Sequence, residues 1–582
     1  MSFFAELRRR NVFRVVAGYV VMSWLIMQIV SVIANPLNLP DWFETVVVVL
    51  LGIGLLIAIV VAWAFELTPD GIKLSTSDGS APAASGGKLD YVLIAALVLV
   101  AAATFLSGRP EALPEIDERS IAVLPFTDLS PERDQEYFGD GIAEELLNEL
   151  TRLEGLRVAG RTSSFAYKGR NEDLRTIGAE LGIATILEGS VRKDGETLRI
   201  TAQLIDVSNG SHLWSDTYDR ELDDIFAIQE DIATQVAGRL GVQLGVGDVN
   251  AFQGAGTTNV AAYEAYLEGL ARTDYDAIPY LRRATTLDEN YAAAWALLAV
   301  RTAATQWTNP PEQAPDIRAE AIGYAERAVE LDPQSAEAQS LYGTLLYASR
   351  NYIDGEAAHL EAISILANRD TQVQYGNLLS RAGRSSDAIE RYEAAREADV
   401  PLHRPSSQMW ANYLALGRID EAREVVGVLD LDETPIRRLS IAFNAGDREE
   451  IRSLMEDLAS MPGVRSALYS AALENFDSPQ AAHASLRAIH EDSTLFWPGK
   501  GHDLGMLAAW FGDPELALES LVSEVQYTSV RQWSLWLPHL SEVRRLQGYK
   551  ELVTSINLVD FWRASGWSDH CRPVGADDFT CE

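Results

Sequence analysis

Arg283-Ala-Thr-Thr-Leu-Asp-Glu-Asn-Tyr291 returns as Arg327-Ala-Val-Glu-Leu-Asp-Pro-Gln-Ser335, and the phrase is taken up again at Glu361-Ala-Ile-Ser-Ile365 and Glu393-Ala-Ala-Arg-Glu397. The first interval is 44 residues and the next two are 34 and 32, so the chain repeats itself at a period near 34. Such a period describes stacked helix pairs, in which alanine sits at close helix crossings and Asp-Pro stops a helix. The longer first interval is explained by an insertion, Gln306 to Pro315, that holds three prolines and Trp307. Trp295, Leu298, Tyr342 and Leu346 fall at positions that fill the space between helices and are expected in the core.

Working outward, the period marks a tetratricopeptide-repeat array over 260–555. Gly417-Arg-Ile-Asp-Glu-Ala-Arg423, Gly446-Asp-Arg-Glu-Glu-Ile451 and Gly512-Asp-Pro-Glu-Leu-Ala-Leu518 read as turns opening less regular copies. A solenoid of this kind offers a concave groove for proteins or peptides and needs its exposed ends covered. The tail, 556–582, with Phe561, Trp562 and Trp567, is expected to be that cap. Its Cys571 and Cys581 are the chain's two cysteines. They can close a short loop as a disulfide, remain free thiols, or serve a metal beside His570, although a zinc site needs about four ligands.

Before the array, Ile121-Ala-Val-Leu-Pro-Phe126 has the character of a buried strand, and Ile142, Leu146, Leu147, Leu150 and Leu153 recur at helical spacing behind Asp140, a candidate cap. Leu174, Ile177 and Leu181 repeat that spacing up to Gly182. The period then becomes two at Leu198, Ile200, Ala202 and Leu204, between Asp194-Gly195 and Asn209-Gly210, which favour hairpin turns. A three-strand meander through 186–192, 197–207 and 212–218 is expected, followed by a helix striped with Ile225, Ile228, Ile232, Val236 and Leu240. The phrases Ile121 to Phe126, Tyr137-Phe-Gly-Asp-Gly-Ile-Ala-Glu-Glu-Leu146, Ile186-Leu-Glu-Gly-Ser-Val-Arg192 and Leu213-Trp-Ser-Asp-Thr-Tyr-Asp-Arg220 resemble the α/β domain related to the amino-terminal domain of TolB and to FlgO-like proteins. The resemblance covers 119–245 and implies protein binding in a bacterial envelope without catalytic residues.

The first 107 residues read as a membrane module. Residues 15–34 form a charge-free apolar run of about 20 residues, enough at ~1.5 Å per residue to cross ~30 Å of hydrocarbon. Further runs at 46–65 and 91–107 give three expected transmembrane helices, followed by a linker at 108–118. A cleaved signal peptide fits less well, because the first run exceeds a signal core and further runs follow. Arg8, Arg9, Arg10 and Arg14 place the N-terminus in the cytoplasm, which puts the C-terminal part in the periplasm of a bacterial inner-membrane protein. Phe4-Ala-Glu-Leu-Arg-Arg-Arg-Asn-Val-Phe13 and Ala62-Trp-Ala-Phe-Glu-Leu-Thr-Pro-Asp-Gly-Ile-Lys73 are similar to the membrane module of multi-domain proteins related to adenylate cyclases and winged-helix regulators.

Charge and motifs set the functional expectation. The 84 acidic residues outnumber the 48 basic ones, for a net charge of −36, and no basic, aromatic-bearing patch occurs after residue 110, which argues against nucleic acid. No Walker loop, nucleophile elbow or zinc-protease helix is present; Gly499-Lys500-Gly501 is too short a match, and His483 and His490 lack a third ligand. Acidic pairs such as Glu144-Glu145 and Asp223-Asp224 read as solvated helix starts, while Glu66 ends the second apolar run. The sequence therefore predicts a non-enzymatic, membrane-anchored interaction scaffold, with no catalytic, metal or cofactor-binding residues. The alternative is a transmembrane receptor relaying periplasmic binding to the 66–89 loop. Expected partners are proteins or peptides in the groove and membrane lipid around three spans; none of these features specifies an oligomeric state.

Overall fold

The computed structural model describes residues 118–240 and 256–582, apart from short interruptions at 152, 154, 171, 196, 273–274, 310–312, 399–407, 429–433, 496, 498, 528–530 and 576; earlier in the chain it describes only 19, 22, 23, 26, 51, 54, 65–68 and 71–74. The chain divides into two units, Met1–Arg109 and Pro110–Glu582.

In the first unit the Tyr19 hydroxyl donates to the Leu51 carbonyl (2.9 Å), and strands β1 (Phe65–Thr68) and β2 (Gly71–Leu74) pair antiparallel. The expectation of three transmembrane helices, and with it a multi-pass inner-membrane location and a periplasmic C-terminal part, is corrected here. Among the described residues no helix is long and apolar enough to cross a membrane. The longest of them, Ala314–Leu331, carries Asp316, Arg318, Glu320, Glu326, Arg327 and Glu330, whose charges forbid a hydrocarbon surrounding. Phe65, expected to end the second span, begins strand β1 instead. Apart from Phe65 and a few isolated helical positions, the runs 15–34, 46–65 and 91–107 lie outside the described residues.

The second unit opens with a mixed sheet. Its strands are β3 (Ser120–Val123), β4 (Thr127–Asp128), β5 (Arg157–Val158), β6 (Thr185–Asp194), β7 (Thr197–Asp206) and β8 (Ser211–Glu221). They run in the order β5-β3-β6-β7-β8, with β4 beside β6; β3 is parallel to β5 and β6, and β6, β7 and β8 form the antiparallel meander. Helix α1 (Glu136–Thr151) begins ahead of Asp140, so Asp140 is a mid-helix residue and not the cap. Helices α2 (Arg161–Phe165), α3 (Leu174–Leu181) and α4 (Ile225–Arg239) complete this part. Alternation decides which side faces inward: Leu198, Ile200, Ala202 and Leu204 are fully buried with Ile142, Leu146 and Ile232, while Ala122 and Ile186 face a second core with Ile177 and Leu181.

The sheet's main core does not stop at the end of α4. It continues through α5 (Val260–Leu270), α6 (Ile278–Leu287) and α7 (Ala292–Ala304), bringing in Tyr263, Leu267, Tyr291 and Leu298. Gly141 allows this approach: a Cβ there would lie 2.2 Å from Leu267 Cδ2. The ion pair of Lys193 with Glu264 and the hydrogen bond from Gln229 Nε2 to the Tyr263 hydroxyl (2.8 Å) join the same surfaces.

Helix pairs follow: α8 (Ala314–Leu331) and α9 (Ala336–Ala348), α10 (Tyr352–Ile365) and α11 (Arg369–Arg381), α12 (Ser385–Ala398) and α13 (Met409–Ala415), α14 (Ile419–Val428) and α15 (Thr434–Ala445). The series continues with α16 (Arg448–Ser460), α17 (Arg465–Glu474), α18 (Pro479–Glu491), α19 (Lys500–Phe511) and α20 (Pro514–Tyr527). Left-handed glycines at 417, 446 and 512 make the turns before α14, α16 and α20.

The last fifty residues do not merely cover the end of α20. Short 3₁₀ turns at Gln532–Trp536 and Pro538–Leu540 lead into α21 (Ser541–Arg544), α22 (Gln547–Ser555) and α23 (Leu558–Ser565), then a hairpin of β9 (Cys571–Val574) and β10 (Asp578–Cys581). This segment returns to the end of a helix between about 150 and 190 positions earlier. Three successive carbonyls at the end of α11 receive it: Arg381 accepts from Gln532 Nε2 (3.1 Å) and Trp536 Nε1 (3.1 Å), Ala382 from Trp562 Nε1 (2.8 Å), and Gly383 from the Asp569 amide (2.9 Å). Cys571 and Cys581 face each other across the hairpin and are disulfide-bonded at 2.05 Å, beside Phe579, which packs against Trp562 and Trp567.

Two outcomes are expected in urea unfolding. Trp536→Ala removes a buried indole and its bond to Arg381, and should cost about 3–5 kcal/mol; a loss below about 1 kcal/mol would show that the closing contact is not structural. Reduction of the Cys571–Cys581 bond should lower stability by about 2–3 kcal/mol, as expected for a short closed loop, and an unchanged midpoint under reductant would refute this.

Candidate functional site

The inside of the helical array is divided between a filled stretch and an open one. Residues 531–540 fill the first. Trp533 packs against Trp410 of α13 (ring centroids 5.0 Å apart) and His502 of α19 (5.5 Å), Gln532 Oε1 accepts from the Tyr352 hydroxyl (2.9 Å), and the His539 amide donates to Asn444 Oδ1 (2.9 Å). Arg531 reaches Asp503, a carboxylate almost sealed from solvent that also pairs with Arg465 (2.9 Å) and accepts from Trp497 Nε1 (3.0 Å). Burial by itself would raise the Asp503 pKa, but the hydrogen bond and charge of His502, with Arg465 and Arg531, outweigh it and hold the carboxyl low. These contacts tie a crossing segment to the helices around it.

The open stretch is a cleft of about 260 Å³ between the end of α7, α8 and α9. Val300, Leu341, Leu345 and Tyr347 give it an apolar wall, and Trp307 stands at its edge, 56% exposed. The 3₁₀ turn Thr305–Trp307 that ends α7 places this indole. Two guanidiniums complete the lining. Arg318, on α8, donates to Gln306 Oε1 (3.1 Å), and its pKa is lowered by burial and then by the neighbouring charge of Arg350. Arg381, the last residue of α11, lies over the Tyr347 ring at 4.8 Å and bonds the Tyr347 hydroxyl. Guanidiniums do not exchange protons near neutral pH, so this lining is suited to holding an anion beside an apolar group rather than to acid–base catalysis.

Charged side chains also collect on α1. Glu144 pairs with Arg161 (3.0 Å) and Asp140 with Lys168; burial raises both carboxyls, and each is partly relieved by its cation. Glu337, at the start of α9, meets solvent at its surface, yet crowding by the surrounding protein, then Glu144 and Asp370, raise it to about 7 against the opposing pull of Arg161. Among the described residues no group of three His, Cys, Asp or Glu side chains is arranged to hold a metal ion.

The other sequence candidates are dispersed. His483 bonds the Phe511 carbonyl (2.9 Å) and His490 meets Ser520 (3.2 Å), so the two rings have separate partners. Lys500 begins α19 and donates to the Asp492 carbonyl. Asp223 and Asp224 lie in a 3₁₀ turn before α4. Leu298 and Leu346 are buried, whereas Trp295 and Tyr342 are only half-buried. The side chain of Glu66 lies outside the described residues. Sequence reasoning noticed Trp307 as part of an insertion but passed over Arg318, which follows that insertion in the first turns of α8, and Arg381, which ends α11 far along the chain and carries no local signal.

No protein-family model matches the chain. A protein named putative adenylate cyclase 3, from Rhizobium meliloti (strain 1021), is 38% identical over 258 residues, which cover 43% of this chain and 43% of the relative. The match thus spans less than half the length of this curated relative. It corrects the expectation of a non-enzymatic membrane scaffold or receptor, since the relative carries the name of an enzyme, whereas that expectation rested on finding no familiar motif.

The buried histidines set a pH dependence. Burial lowers His359 to about 3, with Arg381 adding to the effect; it lowers His539 to about 3, with Arg544 and His502; and it lowers His570 to about 4, with Arg544, against the opposite influence of Asp569. Below about pH 6.5 the unfolded chain takes up protons that these folded rings refuse, so stability present above that pH is lost as pH falls toward about 3. Glu337 has the opposite sign, but its exposure to solvent leaves this effect little weight. His359, fully buried between Tyr347 and Tyr375, isolates the first effect. Its contribution should fall by about 2 kcal/mol from about pH 6.5 to about pH 5. In urea titrations across that range His359→Leu should show a shallower loss than wild type; parallel losses would refute the assignment.

Proposed function

We propose that the chain is an enzyme of adenylate-cyclase signalling that forms cyclic AMP, with its second unit receiving a protein partner that sets this output. The observation that carries this reading is the 38% identity over 258 residues to a protein named putative adenylate cyclase 3. Under it, residues 119–245 are a TolB amino-terminal-like domain, 260–555 are tetratricopeptide repeats and 556–582 are their cap. Supporting this are the phrase recurring near every 34 residues, the paired helices, and a cleft whose lining suits recognition. The shared core of the sheet and α5–α7 supplies a mechanical link, because a partner drawn into the cleft bears on α7, whose Ala294 and Leu298 belong to that core.

The full chain, expressed in bacterial cells lacking their own cyclase and also purified with ATP and Mg²⁺ or Mn²⁺, should raise cyclic AMP above the empty-vector and no-protein controls. Trp307→Ala should alter the level without lowering protein abundance. Cyclic AMP at background in both assays would sink this reading.

A further inference from the structure

Arg381 stands where the filled and open stretches of the array meet. Its backbone carbonyl accepts from Gln532 and Trp536 of the crossing segment, while its guanidinium lines the cleft. The cleft is therefore continuous with a surface that already holds a run of polypeptide by backbone acceptors and aromatic contacts.

What distinguishes the open stretch is charge. Acidic residues outnumber basic ones 84 to 48, and many arginines elsewhere in the array are paired with carboxylates, as Arg384 is with Glu356 (3.4 Å) and Asp387 (2.6 Å), and Arg487 is with Glu519 (3.1 Å). Among the described residues, neither Arg318 nor Arg381 has a carboxylate partner: the first contacts the Gln306 amide, the second the hydroxyl and ring of Tyr347. A guanidinium half-withdrawn from water gains from a charge-assisted bond more than an exposed one does, and its planar fork matches a carboxylate. Beside these groups Trp307 and Val300 remain exposed at 56% and 39%, offering apolar surface to the same ligand.

The geometry points to an acidic peptide segment of a partner protein as the occupant of this cleft, its carboxylates on Arg318 and Arg381 and an apolar side chain against Trp307. The inference rests on the reading of the second unit as a partner-receiving element and names the chemistry of that partner.

The test is fluorescence anisotropy of the full chain with two short labelled peptides, one alternating glutamate with leucine, the other with glutamine in place of every glutamate. The glutamate peptide should bind about ten-fold more tightly. Arg318→Gln should abolish most of that preference, Trp307→Ala should weaken both peptides, and Arg327→Gln, on the same helix but paired with Glu330, should change nothing. Equal affinity for the two peptides, no binding of either, or a preference that survives Arg318→Gln in a variant melting like wild type would each overturn the inference. The wild-type comparison needs no variant to fold. Binding is read without cyclic AMP, so charge-selective binding with no cyclase output would defeat only the proposed function, and the converse only this inference.

Discussion

The closing of the array depends on one feature of helix chemistry. An α-helix leaves its last carbonyls without intrahelical donors, and α11 ends with those of Arg381, Ala382 and Gly383 turned toward residues 532–569, which supply two indole N–H groups, an amide side chain and a backbone amide. Gly383 makes the fit possible in two ways. It adopts a left-handed conformation (φ 76°), and a Cβ at this position would lie 2.7 Å from the Trp536 ring. Around this junction Arg384 bonds the Ser565 carbonyl, Ser386 bonds Asp569, and Asn557 bonds the Arg350 carbonyl. A repeat array that would otherwise have only neighbour-to-neighbour contacts thereby acquires long-range ones.

This closure also defines the surface available to a ligand. Because 531–540 occupy the interior beside α11, α13, α15 and α19, the accessible recessed surface shifts to α7, α8 and α9, next to the helices that share a core with the sheet. The sheet part and the array are thus coupled by packing: Leu267 enters the space above Gly141, and Tyr263 contacts both Phe138 and Phe226. A boundary drawn between 245 and 260 separates two sequence styles, but the hydrophobic core crosses it.

Legibility in the sequence follows the range of the interactions. The strand carrying Leu198, Ile200, Ala202 and Leu204, the turn at Gly182 and the glycine turns before later helix pairs are local, so spacing and glycine positions reveal them. Asp140 misled because a good capping residue also sits comfortably mid-helix when Lys168 pairs with it. The apolar N-terminal runs misled more seriously: hydropathy alone suggested spans, yet Phe65 opens a strand, and no described helix has the required length and apolarity. Arg318 and Arg381 had no motif to betray them, since the cleft is made by residues from four helices whose separation in sequence is set by packing.

By itself the sequence determined the helix-pair period, the alternating meander, the acidic surplus and the pair of tail cysteines, because each is written in residues close together or in composition. Tertiary structure alone decided that the tail returns to α11, that the sheet and the first helices share one core, and that two guanidiniums stand beside an exposed indole with no carboxylate partner among the described residues. Those outcomes come from contacts between residues tens to nearly two hundred positions apart, where close packing and the pairing of buried polar groups, rather than local periodicity, select the arrangement.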